Sequence, residues 1–300
     1  MPRYVTKGRK TRQRRKRAPI RKYRRPTRRF TRKSGLPNRK RILNLTSTKK
    51  RDTMVAYGNL TGGSGDGGSN QRVGAQILTG ARTYIIPFIA TARDLNTFQG
   101  TKHTISDPSA RTATTCYMRG LKEKIQIQTS SGLPWQWRRI CFTYRGSTLI
   151  GTPQANYNWY SETSNGWMRV VNDFNTSTAA VGVLIGTLFR GTQSTDWSSY
   201  FSAPLDTSRV NVKYDKTRII QSGNASGVMR NYNMWHPMNS NLVYDDDESG
   251  DTFATRAFST DGKAGMGDFY VIDIIAGGTG SSTSDLLSFE PTASLYWHEK

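Results

Sequence analysis

The sequence predicts an all-β chain: an eight-stranded jelly-roll sandwich with long loops and one short helix, preceded by a disordered basic N-terminal arm. Three observations carry this. The charge is split, because residues 1–51 hold 23 of the 44 Lys and Arg residues and no Asp or Glu, whereas 52–300 holds 21 of each sign. Apolar residues after position 52 recur with period two, the mark of half-buried strands. Glycine- and proline-rich breaks separate those runs. Two domains are therefore 1–51, a basic arm, and 52–300, a jelly-roll sandwich of net charge zero.

The arm carries a basic residue at about every second position and few large apolar groups. It cannot bury enough surface to offset its ordering entropy. Arg12, Arg14, Arg15, Lys16 and Arg17 form one cluster, and Arg21, Lys22, Arg24, Arg25, Arg28, Arg29, Arg32 and Lys33 follow. Tyr4, Tyr23 and Phe30 stand among them, and Pro2, Pro19, Pro26 and Pro37 prevent one long helix. Guanidinium forks pair with phosphates and interleaved rings stack on unpaired bases, so these thirteen cations are the candidate nucleic-acid contacts. The compact runs Arg14, Arg15, Lys16, Arg17 and Arg39, Lys40, Arg41 also have the form of nuclear localisation signals. A solvated tail is the plain alternative, and a polybasic membrane contact another, but no amphipathic helix or lipidation motif accompanies the arm.

In the body, residues 121–129 place Leu121, Ile125 and Ile127 on one face and Lys122, Lys124, Gln126 and Gln128 on the other. Segment 135–144 is aromatic and β-branched enough for the next strand. Strands are also expected at 54–60, 82–90, 210–214, 217–221, 228–235, 269–276 and 294–298, with breaks at 62–68, 222–227 and 277–280. One helix is expected at 177–189, where Val181, Leu184, Ile185 and Leu188 fall at i, i+3, i+4 and i+7. Eight or so strands in one stretch suit two packed four-stranded sheets. Seven tryptophans and most of the fourteen tyrosines lie in the body, more than one core needs, so some are expected to anchor contacts between copies.

Catalytic and metal signatures are missing. His103, His236 and His298 lie far apart, so no paired-histidine motif exists, and Lys263 lies outside any phosphate-cradling glycine loop. No cofactor and no enzymatic activity are expected. Asp245, Asp247 and Asp251 begin like a calcium loop, but its twelfth position is Arg256 where a bidentate Glu is required. They remain a weak divalent-cation candidate beside the plainer reading of a solvated loop or a partner for a basic neighbour across a subunit interface. Cys116 and Cys141 read as small apolar strand residues, and too few for a disulfide scaffold. No secretory or membrane-spanning run occurs, which reads as an intracellular chain. Arg138 and Arg139 could turn at most one side chain toward a nucleic acid, a satisfied ion pair being the equal alternative.

At the residue level the chain resembles the capsid proteins of the genomoviruses (gemycircularvirus-like). The carrying segments are Arg41-Ile-Leu-Asn-Leu-Thr-Ser-Thr-Lys-Lys-Arg-Asp52 and Ile125-Gln-Ile-Gln-Thr-Ser-Ser-Gly-Leu-Pro-Trp135, running into Arg138-Arg-Ile-Cys-Phe142. Trp235-His-Pro237, Tyr244-Asp-Asp-Asp-Glu-Ser-Gly250, Gly265-Met-Gly-Asp-Phe-Tyr270 and Leu295-Tyr-Trp-His-Glu-Lys300 follow in order. The resemblance implies a self-assembling T=1 shell of sixty copies that packages a circular single-stranded DNA genome in a virion. It also implies entry to the host nucleus through the import machinery, and no membrane partner. Sixty arms of +23 supply about 1,400 positive charges, a large share of roughly two thousand phosphates. A non-assembling nucleic-acid carrier or nuclear shuttle is the alternative.

Overall fold

Alternation along the chain becomes alternation across sheets. The computed structural model describes residues 39–63, 66–150 and 157–300. In chain order these form helix α1 (Arg39–Thr46), then β1 (Thr48–Met54), β2 (Ala56–Gly58), β3 (Arg72–Val73), β4 (Gln76–Thr79) and β5 (Thr83–Ile89). The long strands β6 (Thr115–Thr129) and β7 (Trp135–Tyr144) precede β8 (Ser161–Thr163), β9 (Gly166–Val171) and helix α2 (Thr178–Leu188). Last come β10 (Asn211–Ile220), β11 (Met229–Val243), β12 (Asp247–Ser249), β13 (Thr252–Ala254), β14 (Asp268–Gly277) and β15 (Leu286–Glu299).

One principal sheet has the order β1-β15-β6-β11, the other β10-β7-β14-β5. All six pairings are antiparallel. Counting only these eight strands in chain order, the first sheet holds the first, eighth, third and sixth, and the second holds the fifth, fourth, seventh and second. That order is a jelly roll, the double Greek key. The all-β prediction is met, down to Leu121, Ile125 and Ile127 lying in the core while Lys122, Lys124, Gln126 and Gln128 are exposed.

The second sheet is covered on both faces. Every residue from Asp268 to Ile275 of β14 is buried. Trp159 packs edge-on against Tyr270 at 5.7 Å between ring centroids, and α2 contributes Val181, Leu184 and Leu188 to the same core. The helix lies where its periodicity put it, and Ser177 caps it by accepting from the Ala180 N–H.

Several boundaries differ from the sequence reading, the strands expected at 228–235 and 294–298 being the longer β11 and β15 among them. The basic arm does not run to 51, because Lys49, Lys50 and Arg51 pair on β1 with β15. Lys50 is buried, its Nζ donating to the Ala110 carbonyl at 2.8 Å and lying 3.1 Å from a Glu299 carboxylate oxygen. The expected 54–60 strand is the end of β1 plus the short β2, which pairs in parallel with β9 in a minor sheet that period-two runs did not reveal. Segments 210–214 and 217–221 are one strand, β10, whose register shifts between Val212 and Tyr214. Helix α1 was not expected either. Its residues 39–44 belong to a unit, Met1–Asn44, separate from Leu45–Lys300.

Candidate nucleic-acid interface

The arm cations Arg12 to Lys33, including the Arg14–Arg17 cluster, lie outside the described residues, as does the expectation that they are disordered. Of the second localisation cluster, Arg39, Lys40 and Arg41 stand on α1, and the Arg41 side chain is exposed.

Five exposed cations share the outward face of the β1-β15-β6-β11 sheet. Strand alternation turns Lys49, Arg51, Lys122 and Lys124 outward, with Arg119 exposed beside them. Glu290 is the one carboxylate those strands turn the same way. Pairing register sets the rows: Arg51 lies across from Tyr296, and Ser294, Lys122 and Trp235 lie in line. Neither Arg51, Arg119, Lys122 nor Lys124 has a carboxylate within ion-pair distance among the described residues. Arg119 instead donates to Asn239 Oδ1 at 2.8 Å. Burial, then the nearby Lys49 and Arg119, hold the pKa of His298 below its ordinary value.

Trp235 is 48% exposed on this face. Its indole meets the Tyr296 ring edge-on, with centroids 5.8 Å apart. Below it lies Gly120, with φ at +154°, where an added Cβ would come within 2.6 Å of the indole. Only a residue without a side chain leaves the ring room to lie against the sheet. The other six tryptophans are buried within this one chain. Among the tryptophans, two packed layers plus the α2 cover take up all but Trp235, which narrows the surplus expected for contacts between copies to that one.

Arg138 and Arg139 are both buried in ion pairs, the satisfied-pair alternative for each. Arg138 is 5% exposed and pairs with both carboxylate oxygens of Asp215, at 2.9 Å and 2.7 Å, while donating to the Tyr200 and Ala203 carbonyls. Arg139 is 1% exposed and enters a closed ring of charge between the sheets. It grips Asp273 at 2.7 Å and 2.8 Å and also pairs with Glu123. Arg169 closes the ring, donating to Glu123 at 3.0 Å and Asp273 at 2.8 Å. Two cations thus face two anions with no solvent exposure to speak of. Burial alone raises a carboxyl pKa, yet Arg139 and Arg169 hold Asp273 below its ordinary value.

His236 stands next to this ring, its imidazole edge-on to Tyr214 at 5.0 Å. Burial, then the positive field of Arg139, pushes its pKa down to about 4. The ordinary value is about 6.5. Between these values the unfolded chain binds a proton that the folded chain does not, so stability rises with pH across the window and is lost as pH falls through 4. The total is roughly 3 kcal/mol. Asp173 and Asp268, pushed up to about 6 mainly by burial, act in the opposite sense, losing stability as pH rises from about 3.8 to 6. A bulk melting curve mixes these signs. An NMR titration separates them: the His236 imidazole signal is expected to move near pH 4 and stay fixed through pH 6.5.

The acidic run is divided by the fold. Asp246 is buried against Arg111, which holds both its oxygens. Asp245 sits 3.5 Å from exposed Arg256, and Asp247 and Glu248 lie exposed on the β12–β13 hairpin. Asp245, Asp247 and Asp251 are not gathered; among the described residues no three His, Cys, Asp or Glu side chains converge as metal ligands. The basic neighbours these described carboxylates meet are in the same chain, Arg111 for Asp246 and Arg256 for Asp245, and not across a subunit interface. Cys116 and Cys141 are buried and unbridged, and burial raises both thiols far above their ordinary range. An open cavity of about 370 Å³ is lined by Arg145, Arg209 and Lys213. Two of those three are engaged, Arg145 donating to the Gly265 carbonyl and Arg209 pairing with Asp206 at 3.3 Å.

No family model matches the chain, and no curated protein matches it.

Proposed function

We propose that this chain is a viral coat protein. It self-assembles into a small icosahedral T=1 shell and packages circular single-stranded DNA through its Arg- and Lys-rich arm. The same arm directs import into the host nucleus, where assembly takes place. The observation that supports this best is the division of labour along the chain. Residues 1–41 bring twenty cations and no carboxylate, and the sandwich that follows spends its buried charges on one another. A polycation of that density binds phosphates by counterion release without reading sequence. The jelly roll is a fold that shells use, although lectins and cupins use it too. The weight therefore rests on the arm and the fold together. No catalytic step is assigned to the chain.

Size-exclusion chromatography and negative-stain microscopy of the full chain test this. Uniform particles roughly twenty nanometres across, sized for about sixty sandwiches, are the expected result. A monomer that binds single-stranded DNA and never assembles would overturn it in favour of a nucleic-acid carrier or nuclear shuttle.

A further inference from the structure

We infer that the outward face of the β1-β15-β6-β11 sheet is a second single-stranded DNA site, in which Trp235 and Tyr296 stack unpaired bases and Arg51, Lys122 and Lys124 hold the phosphates. This deepens the reading above and rests on it, because it assigns to the folded body a contact otherwise left to the arm.

The argument starts from cost. Leaving an indole half in water on a sheet face is unfavourable by the area it fails to bury, and the chain has room for tryptophans inside, since six of the seven are there. Trp235 is nonetheless set out on the surface against Gly120, whose φ of +154° is one few side chains adopt. The Tyr296 ring meets it edge-on and fixes its attitude. An indole braced in this way is a stacking platform, and stacking on a sheet-borne aromatic tolerates any base because every base has a π-face.

Charge complementarity chooses the occupant. Five cations and one carboxylate share the face, and the cations nearest the platform are without carboxylate partners among the described residues. Lys122 is directly across from Trp235 in the ladder and Arg51 directly across from Tyr296. Lys124 follows Lys122 two residues on, about 7 Å further along the strand, so the two can take successive phosphates of an extended chain. A duplex hides its base faces and gains nothing from the ring. A second copy of this chain would bring the same positive face and be repelled.

The test uses the full chain and (dT)20, with tryptophan emission and oligonucleotide anisotropy read together. High salt, about 0.5 M, weakens the arm's phosphate contacts most and exposes what stacking contributes. Expected results are quenching by (dT)20 that disappears in Trp235→Phe, and affinity at high salt weakened about tenfold in Trp235→Ala. Lys122→Gln with Lys124→Gln is expected to flatten the salt dependence. Each changes only exposed side chains, and unchanged thermal melting confirms the fold. Quenching retained in Trp235→Phe, or affinity retained in Trp235→Ala, would overturn the platform. So would loss of particle assembly with DNA binding unchanged, which would make the face a contact between copies. Failure of the wider reading looks different: the unaltered chain would bind no (dT)20 at low salt at all.

Discussion

Deleting residues 1–41 is expected to weaken binding to single-stranded DNA by at least about a hundredfold near 0.1 M salt, and to remove most of its salt dependence. The deletion takes away twenty of 44 basic residues and no acidic one. Each phosphate neutralised contributes a slope of about 0.7 in the logarithm of affinity against salt for a single strand. Loss of even ten contacts therefore turns a steep plot into a shallow one. The end point matters. A cut at 51 would remove the first four of the seven residues of β1 and with them Lys50, whose ammonium lies 3.1 Å from the buried Glu299 carboxylate. That chain would fail for structural reasons and say nothing of the arm. Filter binding across a salt series on the 42–300 chain checks the prediction, and affinity unchanged by the deletion would refute the arm's role.

Much of the fold was legible because burial in a sandwich writes itself into local sequence. Leu121, Ile125 and Ile127 alternate with polar residues because one face of β6 looks inward and the other outward. Helix α2 was legible through one apolar stripe and Ser177. What escaped had no local signature. Strand β9 is buried along five successive residues and so shows no alternation, and β2 and β3 are too short to show any period. Lys49, Lys50 and Arg51 read as arm because charge dominates composition there, and their strand state is decided by β15, some 240 residues away.

The surface site was only half visible for the same reason. Lys122 and Lys124 were placed on the polar face of their strand, but the row joining Lys122 to Trp235 exists only through the β6–β11 register. Arg138 and Arg139 were ambiguous because sequence gives their alternation and not their partners. Asp215 lies on β10, Glu123 on β6 and Asp273 on β14, and only tertiary pairing brings them within reach.

The charge ring yields the largest stability effect. Asp273 accepts from Arg139 Nε and Nη2, Arg169 Nη2 and Trp137 Nε1, all within 2.8 Å. Replacing it with Asn keeps the volume but leaves two fully buried guanidinium groups sharing the single charge of Glu123. Breaking a buried pair by removing one partner costs about 3–5 kcal/mol, because the stranded charge stays desolvated. Against a total stability of about 5–15 kcal/mol, Asp273→Asn is expected to remove about a third or more of it, read as a lower midpoint in guanidinium unfolding and a smaller soluble fraction on expression. Arg256→Ala, which breaks only the exposed pair with Asp245, is expected to change stability by no more than about 1 kcal/mol. Desolvation, rather than the count of ion pairs, is what separates the two, and a double replacement shows it. Arg139→Met combined with Asp273→Leu removes one charge of each sign and leaves Arg169 paired with Glu123 at 3.0 Å. That variant keeps a cost of about 1–3 kcal/mol for each buried N–H left without its acceptor, on Trp137 and on Arg169 Nη2, yet it is expected to be more stable than Asp273→Asn, which strands a whole charge. If the double variant were instead the less stable of the two, the ring would owe its strength to attraction between the charges and not to the penalty of leaving one unpaired.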